Sequence, residues 1–262
     1  MTLSEQERER YRRHLIIPEL GVAGQEKLKA ASALVVGAGG LGSPALYYLA
    51  GAGVGRLGVL DLDVVELSNL HRQPLHSTAD IGGAKTMSAA AKLLALNPEI
   101  DVIEHRVCFA PENAAELIAG YDVVVDAVDN FAARYLLNDA CVLGGKTLVE
   151  AGILRFTGIA MTIAGGETAC YRCVFPQMPI DGVAPGGAEA GVFGPVPGVI
   201  GAVQAAEAIK VLVGFGRPLF DRLLTFDAAE LTFTEVAVVR DAACPVCGER
   251  PTITGLEGWV AS

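Results

Sequence analysis

Two short cysteine pairs, Cys170-Tyr171-Arg172-Cys173 and Cys244-Pro245-Val246-Cys247, constrain the fold of this chain more than any other feature. A C-x-x-C pair grips one metal ion from two sides, and two pairs complete a tetrahedral four-thiolate zinc site. Seventy residues separate Cys173 from Cys244, so closing the clamp requires the chain to return to a point it left long before. A redox role fits less well: such a motif seldom comes twice, and neither pair opens a predicted helix. Four thiolates leave no open coordination position, so the expected zinc is structural and not catalytic. Cys108 and Cys141 fall within a predicted strand and a predicted helix and read as core residues.

The 262 residues allow one large α/β domain or a domain with a small appendage, and a 52% hydrophobic content fills a sizeable core. A net charge of −10 argues against nucleic-acid phosphate as the main ligand. Against that acidic background Arg13, Arg72 and Lys85 stand out as local anion-binding candidates. The start, Met1 to Arg13, is charged and has no apolar core of a signal peptide. The longest apolar stretch, Val192 to Phe215, is interrupted by Pro195, Pro197, Glu207 and Lys210. It reads as a buried helix with an entry loop, not a membrane span. A cytoplasmic location is expected, where reduced thiols favour metal over disulfide.

Ser4 and Glu7 form a capping-box signature that starts a polar helix through about His14. A second helix is expected over Gln25–Ala30. Ala33–Val36 is an apolar strand, followed by the turn Gly37-Ala38-Gly39-Gly40-Leu41-Gly42, a helix Leu41–Ala52 and a strand Leu57–Leu60 closed by Asp61-Leu62-Asp63. That is one βαβ unit, and Asp61 lies 24 positions after Gly37, near the spacing of an acid that grips ribose hydroxyls. Alternating helices and strands continue to Thr147–Glu150, predicting a doubly wound, Rossmann-like, mostly parallel sheet. After Gly152 the strands Gly158–Ala164, Leu223–Phe226 and Thr232–Val239 alternate in the manner of an antiparallel extension. A Pro/Gly-rich loop, Pro176 to Pro197, precedes a helix over Val199–Val213, and a loop of that length is usually functional or mobile. The chain thus reads as one domain: an N-terminal helical arm (1–32), a nucleotide-binding half (33–150) and a zinc-containing half (151–250).

The glycine turn offers backbone N–H groups and a helix N-terminus to an anion, with no side chains in the way. In Ser68-Asn69-Leu70-His71-Arg72-Gln73 the guanidinium of Arg72 suits bidentate bonds to phosphate. Lys85 opens a helix, where the helix dipole does not favour a cation, so it is expected to serve an anion. Asp129 stands at the carboxyl end of a strand, the edge at which ligands bind in open α/β sheets, and is placed to hold Mg²⁺. Capping of the next helix by Asp129 or Asn130 is the bland alternative.

Taken in order, the glycine turn (Gly37, Gly39, Gly40, Gly42), Asp61, the run Ser68, Asn69, Leu70, His71 and Arg72, then Lys85, Asp129, Asn130 and the two cysteine pairs resemble one known family. It is that of the ubiquitin-activating-enzyme-like adenylyltransferases, most similar to the molybdopterin-synthase and thiamine-biosynthesis (ThiF-type) sulfur-carrier activators. The resemblance runs from Tyr11 to Cys247. It implies a homodimer that binds Mg-ATP and adenylates the C-terminal glycine of a ubiquitin-like sulfur carrier ending in Gly-Gly. By the same resemblance Gly40 lies at the phosphates, Asp61 holds the ribose, and Asn69, Arg72 and Lys85 contact the phosphates. Asp129 is the metal or nucleotide acid, and Arg13 is the arginine that reaches a partner subunit's active site. Many members carry a cysteine just before a Glu-Ala-Gly-Val run; here Glu189-Ala190-Gly191-Val192 is preceded by Gly187, which cannot form a thioester. That departure favours the molybdopterin-type reading, as does the short stretch after Cys247, too small for an appended rhodanese-like domain. Two rivals remain: a nicotinamide-dependent oxidoreductase, which leaves Arg72, Lys85, Asp129 and the clamp unexplained, and a non-catalytic scaffold. A relative acting on a carboxylate of modified tRNA fits the acidic charge less well.

Overall fold

Ser4 starts the first helix in the predicted way: its hydroxyl accepts the Glu7 N–H at 3.1 Å and the Glu7 carboxylate accepts the Ser4 N–H at 2.7 Å. The computed structural model describes residues 2–179 and 190–259. The N-terminal arm holds α1 (Glu5–Arg10), α2 (Arg12–Leu15) and α3 (Gly21–Ala30). The continuous helix expected through His14 is broken at Tyr11, whose buried ring packs where a Cβ on Gly53 would stand and whose hydroxyl accepts from Asn97 at 2.8 Å. Then follow β1 (Ser32–Val36), α4 (Gly42–Ala52), β2 (Arg56–Leu60), α5 (Lys85–Leu96), β3 (Asp101–His105), α6 (Pro111–Ala119), β4 (Val123–Asp126) and α7 (Phe131–Leu143). The second half comprises β5 (Thr147–Leu154), β6 (Thr157–Ala164), the one-turn α8 (Tyr171–Val174), α9 (Pro195–Val213), β7 (Arg222–Asp227) and β8 (Thr232–Ala237).

The strands form one sheet in the order β3-β2-β1-β4-β5-β6-β7-β8. β1 to β5 pair in parallel, and β6, β7 and β8 are added antiparallel. Strand period two divides the core between both faces. Ala33 and Val35 of β1 with Val123 and Val125 of β4 pack under α4 and α9, whereas Leu34, Val36 and Val124 face α6 and α7. Strand order reverses between β2 and β4 on either side of β1, which opens a crevice at the carboxyl ends of these strands.

Two boundaries differ from expectation. α9 begins at Pro195 and not at Val199, because prolines in a helix's first turn forfeit only N–H groups that have no intrahelical partner. β3, expected over Asp101–Val107, ends at His105, where its pairing partner β2 ends at Leu60. Cys108 therefore lies beyond the ladder, exposed and beside the crevice, and is not a core residue; Cys141 is buried in α7 as expected. The 19-residue α9 is long and apolar enough to span a membrane, but half of its most apolar window is buried. It packs on α3, α4, β5 and β6 and carries Gln204 and Glu207 bonded to the sheet side, so it is a core helix. Gly187 and the centre of the Pro176–Pro197 loop lie outside the described residues.

Candidate functional site

A cleft of about 590 Å³ opens at the carboxyl ends of β1, β2 and β4. Its base is the glycine turn. Gly37 has φ +106°, and a Cβ there would strike the carbonyl of Ala127 on the neighbouring strand end. A Cβ on Gly42 would strike the Gly37 carbonyl, so the first turn of α4 can close only without one. Gly40 sits under Pro197 of α9, 3.2 Å from where its Cβ would be. Gly39 and Gly40 are left facing the cleft with backbone alone.

The acidic end of β2 is fixed by backbone donors. Asp61 accepts the Ala38 N–H and the Asp63 N–H, each at 2.8 Å, which ties the acid to the glycine turn. Lys85, buried at the start of α5, donates to Asp63 at 2.8 Å and stands 3.8 Å from Asp61. Lys85 lines the cleft with these two carboxylates beside it. Arg72 lines the same cleft, with Nη1 bonded to the Ser68 carbonyl at 2.9 Å and to His71 at 3.0 Å. Asp129 is exposed on the opposite wall and has no hydrogen-bond partner among the described residues; Asn130 next to it caps α7 by accepting the Ala133 N–H at 2.8 Å. The alternatives for this pair thus separate, with Asn130 as cap and Asp129 free.

The structure brings Gly37, Gly39, Gly40, Asp61, Arg72, Lys85, Asp129 and Asn130 together around the cleft. Gly42 lies behind the turn. Ser68, Asn69, Leu70 and His71 lie off the lining. Asn69 is buried and caps its own short turn by accepting the Glu66 N–H, and Ser68 bonds Glu66. Arg13 is exposed on α2, away from the cleft of its own chain. Sequence reasoning missed Gln73, Arg134 and Tyr171. Gln73 is buried beside Gly39, with its Oε1 lacking a partner. Arg134 and Tyr171 form the far wall. Gln73 closes the quoted Ser68–Gln73 run, and Tyr171 lies inside the first cysteine pair, so proximity to a motif was the available signal.

Below the sheet's other face the four clamp cysteines converge. The recorded sulfur separations run from 3.4 to 3.9 Å, and all four Sγ atoms lie within 4.8 Å of one another. A tetrahedron of bonds of about 2.3 Å has edges of about 3.8 Å, so the donor set fits zinc in both chemistry and span. Cys170 does open a helix, the one-turn α8, contrary to the sequence reading, but its neighbours are three sulfurs and not one, which suits a metal rather than a redox pair. Gly248 is required behind the second pair: a Cβ would come within 2.5 Å of the Cys244 carbonyl. The clamp is tied to α7 by Arg172, which donates to both Asp139 oxygens at 2.8 Å, and Asp139 also accepts from the Trp259 indole at 2.8 Å. A larger cavity of about 690 Å³, between α6 and the Gly255–Trp259 segment, is apolar and gathers no comparable polar set.

The sequence matches the ThiF family over residues 11–246. It is 51% identical to the sulfur carrier protein adenylyltransferase of Thermus thermophilus, over 96% of this chain and 95% of that protein. It is 48% identical to the adenylyltransferase and sulfurtransferase MOCS3 of Sus scrofa over 98% of this chain, but spans only 57% of that longer protein. Among solved structures, MccB of E. coli with ATP superposes with a TM-score of 0.74 at 27% identity, covering 87% of this chain and 69% of the other.

Proposed function

The chain belongs to the ThiF family, and from that premise we propose that it is an ATP-dependent adenylyltransferase acting on the C-terminal glycine carboxylate of a small ubiquitin-like sulfur carrier, in molybdenum cofactor or thiamine biosynthesis. The observation that carries the reading is the cleft itself: a bare-backbone glycine turn, an acid fixed beside it, two cations and an unpartnered carboxylate face one volume. A nicotinamide enzyme needs the first two features and has no use for the others.

The chemistry asks little of proton transfer. The carrier's carboxylate is already ionised at neutral pH, so no general base is needed. One of its oxygens bonds to the α-phosphorus while the bond to the bridging oxygen breaks, releasing pyrophosphate and leaving an acyl-adenylate. Positioning and charge neutralisation supply the catalysis. The N–H groups of the Gly39–Gly40 turn and the α4 N-terminus receive phosphate oxygens. Asp61, whose orientation two backbone donors fix, keeps lone pairs for the ribose hydroxyls. Lys85 and Arg72 neutralise charge on the phosphates. Asp129 would hold Mg²⁺, which would disperse negative charge on the phosphates. The carrier's tail enters past the 151–250 half, whose Gly152, Thr157 and Tyr171 form that side of the cleft. Arg13, distant from its own cleft, serves a second copy in a homodimer. The four-cysteine clamp holds structural zinc, and the location is the cytoplasm.

Intact-mass analysis of a Gly-Gly carrier incubated with this enzyme and Mg-ATP tests the proposal: a carrier heavier by one adenylyl group supports it. Unmodified carrier together with tight NAD binding would favour the oxidoreductase alternative.

A further inference from the structure

Under the far wall of the cleft lies a buried cluster to which the adenylation chemistry assigns no part. Asp126 ends β4, Glu150 lies on β5, and Arg134 reaches between them from α7. The side chains of Asp126 and Glu150 are 0% and 1% exposed. Arg134 Nε stands 2.9 Å from Glu150 Oε1 and 3.5 Å from Asp126 Oδ2, but off the line of a hydrogen bond. Its Nη2 is committed to the carbonyls of Val128 and Ala151, at 3.1 and 2.8 Å. Gln204 of α9 spends its amide N–H groups on the carbonyls of Asp126 and Val149. Asp126 Oδ1 accepts the Val128 N–H at 2.9 Å. Asp126 Oδ2, both Glu150 oxygens and Gln204 Oε1 then have no donor among the described residues.

Three buried carboxylate oxygens without a donor, and two carboxylates against one guanidinium, form an arrangement that burial penalises twice. A single added proton eases both faults. It turns one Glu150 oxygen into a donor for Asp126 Oδ2, and it brings the cluster's net charge to zero. We propose that Glu150 carries a proton in the folded protein and donates it to Asp126, so that Asp126, Arg134 and Glu150 form an electrically neutral unit that positions the Val128–Asp129 segment of the cleft. Arg134 and Asp126 grip that segment from both sides, through the Val128 carbonyl and the Val128 N–H. Arg134 is a positioning residue in this account, and Asp129 is what it positions.

The groups that face Glu150 agree in sign. Burial pushes its carboxyl well above the ordinary carboxylate range, and the neighbouring Asp126 pushes the same way against the opposing pull of Arg134. Burial works against the Arg134 charge, but Glu150 and Asp126 outweigh it and hold the guanidinium protonated. The remaining titratable neighbours are Tyr135 and Cys141 on α7 and Tyr171 on α8, each shifted upward mainly by burial and so neutral. On α9, Gln204 carries no charge, and the buried Glu207 accepts from Thr162 and the Leu219 N–H.

Infrared spectroscopy in D₂O tests the proton directly. Wild type at neutral pH should show a protonated-carboxyl stretch that is missing from Glu150→Gln, whose amide mimics the protonated acid as donor and acceptor. Glu150→Met provides the same comparison in a second background should the glutamine variant fold poorly. Asp126→Asn, by removing the like charge, should move the titration of the band to lower pH, a shift that a merely structural role would not produce. A second readout rests on the reading that the cleft takes ATP. Affinity for a non-hydrolysable ATP analogue should fall toward alkaline pH with the midpoint at which the band is lost, because an ionised Glu150 sets a negative charge beneath an anionic ligand; in Glu150→Gln that limb should be flat. No band difference between wild type and either variant overturns the proposal whatever the analogue does. A band that titrates while the analogue fails to bind leaves the proton assigned and rejects the nucleotide reading instead.

Discussion

Lys85 on α5 and Asp63 after β2 meet at 2.8 Å, with Asp61 a further carboxylate 3.8 Å from the same nitrogen. Without a ligand, the cation that opens α5 is held by acids of its own chain inside the cleft. Asp63 is well exposed and Asp61 is not, so solvent screens the Lys85–Asp63 pair more strongly. Lys85→Met should therefore weaken ATP binding by more than about tenfold, since it removes an attractive charge and uncovers two repulsive ones. Asp63→Asn should leave affinity within about threefold of wild type, the range of an exposed ion pair. Calorimetric titration with ATP separates the two.

Asp129 supports a sharper test because no described residue bonds to its side chain. It is exposed and without a partner among the described residues, while Asn130 does the capping. Asp129→Ala should lower the adenylation rate by about 10²–10³, the scale for losing one preorganised charge-stabilising group, with circular dichroism and zinc content unchanged. Retention of wild-type rate would remove Asp129 from the mechanism.

Much of this architecture is legible in the sequence, for identifiable reasons. β1 and β4 are largely apolar runs because both faces of a parallel sheet are covered. The glycine turn is legible because part of its requirement is local: Gly37 takes φ +106°, and a Cβ on Gly42 would strike the Gly37 carbonyl. What the sequence hides is pairing across long separations. Nothing local indicates that β3 stops where β2 stops, or that Arg134 reaches Glu150 on another strand. The prolines of α9 mislead because their effect depends on whether they fall in a helix's first turn or its interior.

The clamp predicts a coupled loss of metal and stability. Cys244 is buried, and its sulfur lies 3.6 Å from that of Cys170. Cys244→Ser should reduce bound zinc, measured by atomic absorption, and lower the Tm in the same samples. The Tm should respond to a chelator in wild type and not in the variant. Equal zinc content in both proteins would contradict the site.

His76 predicts an acid limit to stability. It is buried, with Nε2 2.8 Å from the Ala38 carbonyl of the glycine turn and Nδ1 2.8 Å from Ser88 Oγ. The carbonyl can only accept, so Nε2 carries the proton and Nδ1 accepts from Ser88. Burial holds its pKa below the ordinary value, with the nearby charges of Lys92 and Lys85 adding to that effect. The folded state therefore binds fewer protons than the unfolded one. The stabilisation is complete above the unfolded pKa of about 6.5 and is lost as pH falls from there toward the folded value. Urea denaturation across that window should show stability falling with acidity in wild type, and His76→Gln should lack this component.

Carrier-dependent ATP–pyrophosphate exchange tests the central claim most directly. With Mg-ATP, labelled pyrophosphate and a carrier ending in a free Gly-Gly, label should enter ATP, and it should not do so when the terminal carboxylate is amidated. Exchange with a molybdopterin-type or a thiamine-type carrier would also name the pathway. No exchange with either, from a protein that binds ATP, would contradict adenylation and leave a scaffold built on an activating-enzyme fold.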